Sequence, residues 1–167
     1  MTLSLQPPKP NDYLAIASWI VDAAECKRWA GPGVRFPFSG QELPALLDGT
    51  APIVPGEIRK SFVLVESCEL DPQPRTIGFA QIVQEDAVQF RLARIVVAPH
   101  KRGAGMGKLL CEMLLAEIAA LPSARSVRLF VQGDNVAALR IYDKLGFTVA
   151  PPHPWPDILS MKRTVPR

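Results

Sequence analysis

RLARIVVAPHKRGAGMGKLL, residues 91–110, decides how this chain is built. Its apolar run ends at Pro99, Lys101 and Arg102 follow, and Gly103, Gly105 and Gly107 lead into a helix-like spacing. The β-branched residues up to Val97 favour a strand, the glycines allow a tight turn, and a helix opens near Met106. Such a junction aims several backbone N–H groups, and the positive end of a helix dipole, at one spot. That spot suits a phosphate.

Working outward, Met106, Leu109, Leu110, Met113, Leu114, Ile118 and Leu121 recur at steps of three and four, and Pro122 ends the helix. Val127–Gln132 reads as a strand. Asn135 caps a further helix with Val136, Leu139, Tyr142 and Leu145 on its apolar face, and Gly146 supplies a left-handed end beside Lys144. Phe147–Val149 and Ile158–Arg163 read as short strands around a Pro-rich loop. Upstream, Ser61–Ser67, Arg75–Gln84 and Ala87–Ala98 are three strands on short links, hence antiparallel neighbours. Asp71-Pro72-Gln73-Pro74 separates the first two, and Glu85-Asp86 turns into the third. Leu3 and Leu5 mark a short first strand. Asn11 or Asp12 caps a single helix carrying Leu14, Ile16, Trp19, Ile20 and Ala23 as far as Trp29. Ser39-Gly40-Gln41-Glu42 is a capping box for a short helix over residues 40–48. The order predicts one α/β domain over residues 1–167, with a single mixed, mostly antiparallel sheet of about seven strands and about four helices.

Composition narrows the function classes. A formal charge of +3 is too mild for a nucleic-acid face, yet suits a small anionic ligand. No apolar stretch nears the roughly 20 residues of a membrane span, and the N-terminus lacks a signal-peptide pattern. The three cysteines, Cys26, Cys68 and Cys111, lack CxxC spacing and read as reduced thiols, so a cytoplasmic location is expected. His100 and His153 are the only histidines and stand far apart, so no metal centre is expected.

Two phosphate loops fail on spacing. A P-loop would need Gly at Arg102 and Ser or Thr at Leu109. A dinucleotide fingerprint would need its third glycine at Lys108 or Leu110. Arg102-Gly103-Ala104-Gly105-Met106-Gly107, after a strand ending in Val-x-Pro, instead resembles the acetyl-CoA loop of the GNAT family of N-acetyltransferases. Asn135, Ala138, Tyr142, Lys144, Gly146 and Phe147 resemble that family's second motif, in the same order and at the same separation. Together the two motifs cover residues 91–149.

The resemblance implies acetyl-CoA as co-substrate, with its pyrophosphate on the backbone amides of Gly103, Ala104, Gly105, Met106, Gly107 and Lys108 and with Arg102 adding charge. It implies that Ile95, Val96 and Val97 pair through their main chain with the pantetheine arm, like an added strand. Asn135 is a helix cap and, by the same resemblance, a contact to the CoA arm. Tyr142 is the implied proton donor to the leaving thiolate. No acyl-enzyme is expected. Where some relatives carry a Glu base, this chain has Phe130, and Glu66, Glu69, Glu85 and Asp86 read as solvated charges.

The acceptor expected is a primary amine, of a small molecule in the first instance and of a protein N-terminus or lysine in the second. A non-catalytic acetyl-CoA sensor is a third reading. Two aromatic, Pro-rich loops, residues 29–38 and 150–156, offer acceptor walls at Trp29, Phe36 and Trp155, with Arg35 for a carboxylate. A capping apolar cluster under those loops explains the same residues. Oligomeric state, a homodimer included, is not written in the sequence.

Overall fold

A computed structural model describes residues 1–69 and 71–166, with the backbone alone for Asp71 and Pro72. The elements run β1 (Thr2–Gln6), α1 (Pro10–Trp19), α2 (Ala23–Ala30), α3 (Leu43–Asp48), β2 (Ile58–Cys68), β3 (Asp71–Gln84) and β4 (Gln89–Val97), followed by α4 (Met106–Ala119), β5 (Ser126–Gln132), α5 (Val136–Lys144), β6 (Thr148–Val149) and β7 (Ile158–Thr164). The seven strands form one sheet in the order β1-β2-β3-β4-β5-β7-β6. β1 runs antiparallel to β2, and β7 antiparallel to both β5 and β6. β4 and β5 are parallel, pairing Gln89–Leu92 with Ser126–Leu129. A parallel join needs a crossover, and α4 supplies it.

The expected sheet is present; the helices differ. The single helix expected before Trp29 is two. Lys9 precedes α1, Pro10 takes its first position, and Asp12 accepts a 2.6 Å bond from the Lys9 N–H, so Asp12 sits inside the first turn and is not the cap. After Trp19, Asp22 accepts from the Glu25 N–H at 2.7 Å and starts α2. A strong local cap thus overrides a continuous 3.6-residue pattern. Leu14, expected on the apolar face, is exposed, whereas Ile16, Trp19 and Ile20 are buried. The split makes five α-helices among the described residues where about four were expected.

The Ser39–Glu42 box forms, with the Ser39 N–H donating to Glu42 Oε2 and the Glu42 N–H to Ser39 Oγ, but regular helix begins at Leu43. β3 starts at Asp71, not Arg75, because prolines are tolerated at the opening residues of a strand. Asp86 makes the expected turn, accepting from the Val88 and Gln89 N–H groups. α4 stops at Ala119, which leaves Leu121 exposed beyond it. Val136, placed on the apolar face of α5, is exposed in that helix's first turn.

The chain packs as two compact units interleaved in sequence. The first comprises Met1–Ile53, Ser61–Ala80 and Arg94–Met106, and the second Val54–Lys60, Gln81–Ala93 and Gly107–Arg167. Ile16, Leu43, Leu47, Leu64, Ile77 and Phe79 fill the core of the first. In the second, Leu110, Leu114 and Ile118 of α4 are buried, as are Val127 and Leu129 of β5 and Phe147. Among the described residues, no helix is long and apolar enough to cross a membrane.

Candidate active site

The quoted stretch folds as strand, 3-10 turn (Pro99–Lys101), glycine loop and helix. Gly103 and Gly105 have φ of +77° and +80°, so both need glycine for the hand of the backbone. A Cβ at either would meet nothing within 4 Å, so the space above the loop is open. Gly107 lies in the first turn of α4 without a positive φ, so its backbone does not demand glycine. The first N–H groups of α4 have no acceptor within the helix and complete the donor set.

The basic side chains around the loop are already engaged. Arg102 donates to the Val97 carbonyl and to Glu25 Oε1, both at 3.1 Å. Lys101 reaches both oxygens of Glu66 at 2.7 Å, and Lys108 pairs with Glu112 one helical turn away. Backbone N–H groups, not free cations, are therefore what the loop offers to an anion.

Before the loop, β4 contains a kink that the sequence does not announce. Arg94 has φ of +52°, the left-handed region, within a strand. Its side chain ties the kink down by donating to the Leu47 carbonyl and to Thr50 Oγ1 at 3.2 and 2.7 Å. Its carbonyl accepts from Trp29 Nε1 at 2.7 Å, and the Trp29 ring stands edge-on to Phe79. Ile95, Val96 and Val97, which follow the kink, are half-buried.

Asn135 Oδ1 accepts from the Ala138 N–H at 3.3 Å, the cap expected of it. At the far end of α5, the Phe147 N–H bonds the Tyr142 carbonyl and the Gly146 N–H the Asp143 carbonyl, with Gly146 at φ +80°. This Schellman end places the Phe147 ring across that of Tyr142, at 5.9 Å between centroids. Tyr142 is buried, and its hydroxyl has no hydrogen-bond partner among the described residues. Burial, and secondarily the Cys111 sulfur, push its pKa far above the ordinary value, so the phenol stays protonated. Burial likewise pushes the Cys111 thiol up to about 12.

Of the residues expected to wall an acceptor, Arg35 is exposed, Phe36 stands edge-on to Phe38, and Trp29 clamps Arg94. Trp155, in the second unit, is 46% exposed and edge-on to Phe130 at 6.1 Å. The carboxylates read as solvated are only partly so. Asp86 and Glu69 are exposed, Glu66 is half-buried, but Glu85 is buried. Glu85 Oε1 accepts from Arg91 Nε and from Arg128, each at 2.7 Å, and Oε2 accepts from Gln89. Arg91 also donates to Glu57, which Arg59 clamps from the other side. Desolvation raises the Glu57 pKa, but bonds from Arg59 and the Val54 N–H with the Arg91 charge outweigh it, and the net shift is downward. Arg91 and Arg128 lie over the Phe130 ring at 5.6 and 4.9 Å. Sequence reading missed this network; its trace is the polar residue at alternate positions of QFRL and SVRL, strands otherwise apolar.

Residues 60–149 match the acetyltransferase (GNAT) domain. A mycothiol acetyltransferase of Acidothermus cellulolyticus is 35% identical over 77 residues, a stretch spanning 46% of this chain and 22% of that protein. Spermidine N-acetyltransferase from Vibrio cholerae, solved with CoA and spermine, superposes with a TM-score of 0.75 at 17% identity, covering 98% of this chain and 95% of that one. The ribosomal-protein-S18-alanine N-acetyltransferase of Escherichia coli has a TM-score of 0.61 at 21% identity, with coverage of 98% and 94%.

Proposed function

The chain belongs to the GNAT acetyltransferase family, and from that premise we propose that it transfers an acetyl group from acetyl-CoA directly to the primary amine of a small molecule. The observation that carries the reading is the open, left-handed Gly103–Gly105 loop running into α4, whose N–H groups suit a pyrophosphate. In this reading Gly103, Ala104, Gly105, Met106, Gly107 and Lys108 hold the CoA phosphates through their amides. Arg102 contributes from the rim, the backbones of Ile95, Val96 and Val97 pair with the pantetheine arm, and Asn135 adds a contact.

The amine nitrogen attacks the thioester carbonyl carbon, a C–N bond forms and the C–S bond breaks. The departing thiolate takes the Tyr142 proton, and the amine proton leaves to water, which restores the phenol. Burial suits Tyr142 to this role, because it keeps the phenol protonated at neutral pH and its hydroxyl is not committed to another group. Phe130 stands where a Glu base would be, so no side chain of β5 takes the amine proton. The free thiols of Cys26, Cys68 and Cys111 support a reducing compartment, the cytoplasm. The relatives named mycothiol acetyltransferase support a small-molecule acceptor. The test is CoA thiol release from acetyl-CoA with a panel of amines. Turnover that collapses in Tyr142→Phe is expected; tight acetyl-CoA binding without turnover of any amine would overturn the reading.

A further inference from the structure

Three guanidinium groups in the second unit share two buried carboxylates. Glu57 and Glu85 are each 1% exposed in their side chains and neutralise two charges among Arg59, Arg91 and Arg128. Arg91 and Arg128 are direct register partners across β4 and β5. Two like charges side by side are tolerated because Glu85 lies on both and Phe130 offers its ring face to both. Lys162 pairs with Arg128 in the β5–β7 register, and Asp86 caps its own turn.

Arg128 is the most exposed of the three guanidinium groups. Its side chain is 23% exposed, against 6% for Arg91, and only its Nε and one terminal nitrogen engage Glu85. The other terminal nitrogen has no protein partner among the described residues. The guanidinium lies over the Phe130 ring at 4.9 Å, and Phe130, the first residue past the β4–β5 ladder, stands edge-on to the half-exposed indole of Trp155. A fixed guanidinium over one aromatic ring, with a second ring packed on the first, suits a planar anion with an apolar body.

We propose that Arg128, Phe130 and Trp155 form an acceptor subsite that selects amines bearing a carboxylate, with Arg128 binding the carboxylate and the two rings the apolar side chain. The proposal rests on the acetyl-transfer reading and names its acceptor class. It moves the carboxylate contact from Arg35, which is exposed on a loop and solvated, to an arginine fixed by a buried ion pair. A charge held in that setting is worth more than one in water.

The test uses L-phenylalanine and 2-phenylethylamine as matched acceptors, and N-acetyl-L-phenylalanine and its amide as ligands read by indole fluorescence, which Trp155→Phe assigns. The carboxylate is expected to improve kcat/KM and binding by about tenfold or more, the worth of one charge-assisted hydrogen bond. Arg128→Gln should abolish that preference by raising KM for phenylalanine, while phenylethylamine and acetyl-CoA constants stay within about twofold. Arg128→Lys should keep part of it, and Arg35→Ala should keep all of it. A preference that survives Arg128→Gln in a variant of unchanged melting temperature overturns the subsite. So does equal binding of acid and amide by the wild type. Loss of all turnover with the acid-over-amide preference intact would sink the transfer reading and leave the subsite standing.

Discussion

The glycine loop after β4 and the charged face of the β4–β5 ladder handle charge in opposite ways. The loop offers main-chain donors, and its cations Lys101, Arg102 and Lys108 are tied to Glu66, Glu25 and Glu112. The ladder works through side chains, with Glu57 and Glu85 withdrawn from water among arginines. Main-chain chemistry leaves a spacing of glycines that any reader can see. Side-chain networks assembled from distant segments leave almost no local trace.

The largest expected effect breaks the ladder side. Glu85→Gln removes the charge shared by Arg91 and Arg128, and a buried pair that loses one partner costs about 3–5 kcal/mol. Urea unfolding should show that loss. Glu66→Gln, which breaks the more exposed pair with Lys101, should cost under about 1 kcal/mol. Equal effects from the two variants would erase the distinction between the regions.

Next comes Tyr142→Phe, expected to lower kcat on the order of 10² with the KM for acetyl-CoA nearly unchanged. Its pH dependence follows from the sign of the shift. Burial raises the folded-state pKa of Tyr142, so the proposed donor stays protonated through neutral and mildly alkaline pH, and kcat should show no Tyr142 limb below about pH 10. Cys111 is raised too, so the folded state holds its proton more tightly than the unfolded chain does. Stability from this group is full below about pH 9 and declines as pH rises toward 12. Chemical denaturation across that range checks it.

The loop side breaks at smaller cost. Gly103→Ala or Gly105→Ala forces a Cβ into a left-handed backbone, about 1–2 kcal/mol, and should raise the KM for acetyl-CoA. Gly107→Ala is the sharper variant. It sits in a helix turn without positive φ, so it should gain up to about 1 kcal/mol of stability. If it also raises that KM, Gly107 is there for the close approach of the ligand.

How far the sequence could be read follows the same division. The sequence of strands along the chain, the helix after the glycine loop, the Asn135 cap and the Gly146 end are local devices, and each was legible from residue type and spacing. The split of the first helix was not, because Asp22 competes with an unbroken apolar period and wins through one cap bond. Glu85 was misread for the reverse reason. Beside an exposed turn residue, Asp86, nothing local distinguishes a charge that meets Arg91 and Arg128 only once three strands have assembled. The Arg94 kink lies between these cases, a local conformation held by distant groups.

That kink yields the smallest and most discriminating variant. Trp29 was placed by its sequence as a wall for the acceptor, yet its indole N–H bonds the Arg94 carbonyl at 2.7 Å. Trp29→Phe keeps most of the ring and deletes that bond, leaving a carbonyl short of its donor at a cost of about 1 kcal/mol. A clamp acts on the strand proposed to pair with the acetyl donor, so its loss should lower kcat about fivefold for every acceptor alike. A wall acts on one substrate, so its loss should change KM by amounts that follow acceptor size. Melting temperature cannot separate the two, but kcat and KM measured across three amines of different bulk can. Uniform kcat loss assigns Trp29 to the Arg94 kink, whereas acceptor-dependent KM would assign it to the acceptor.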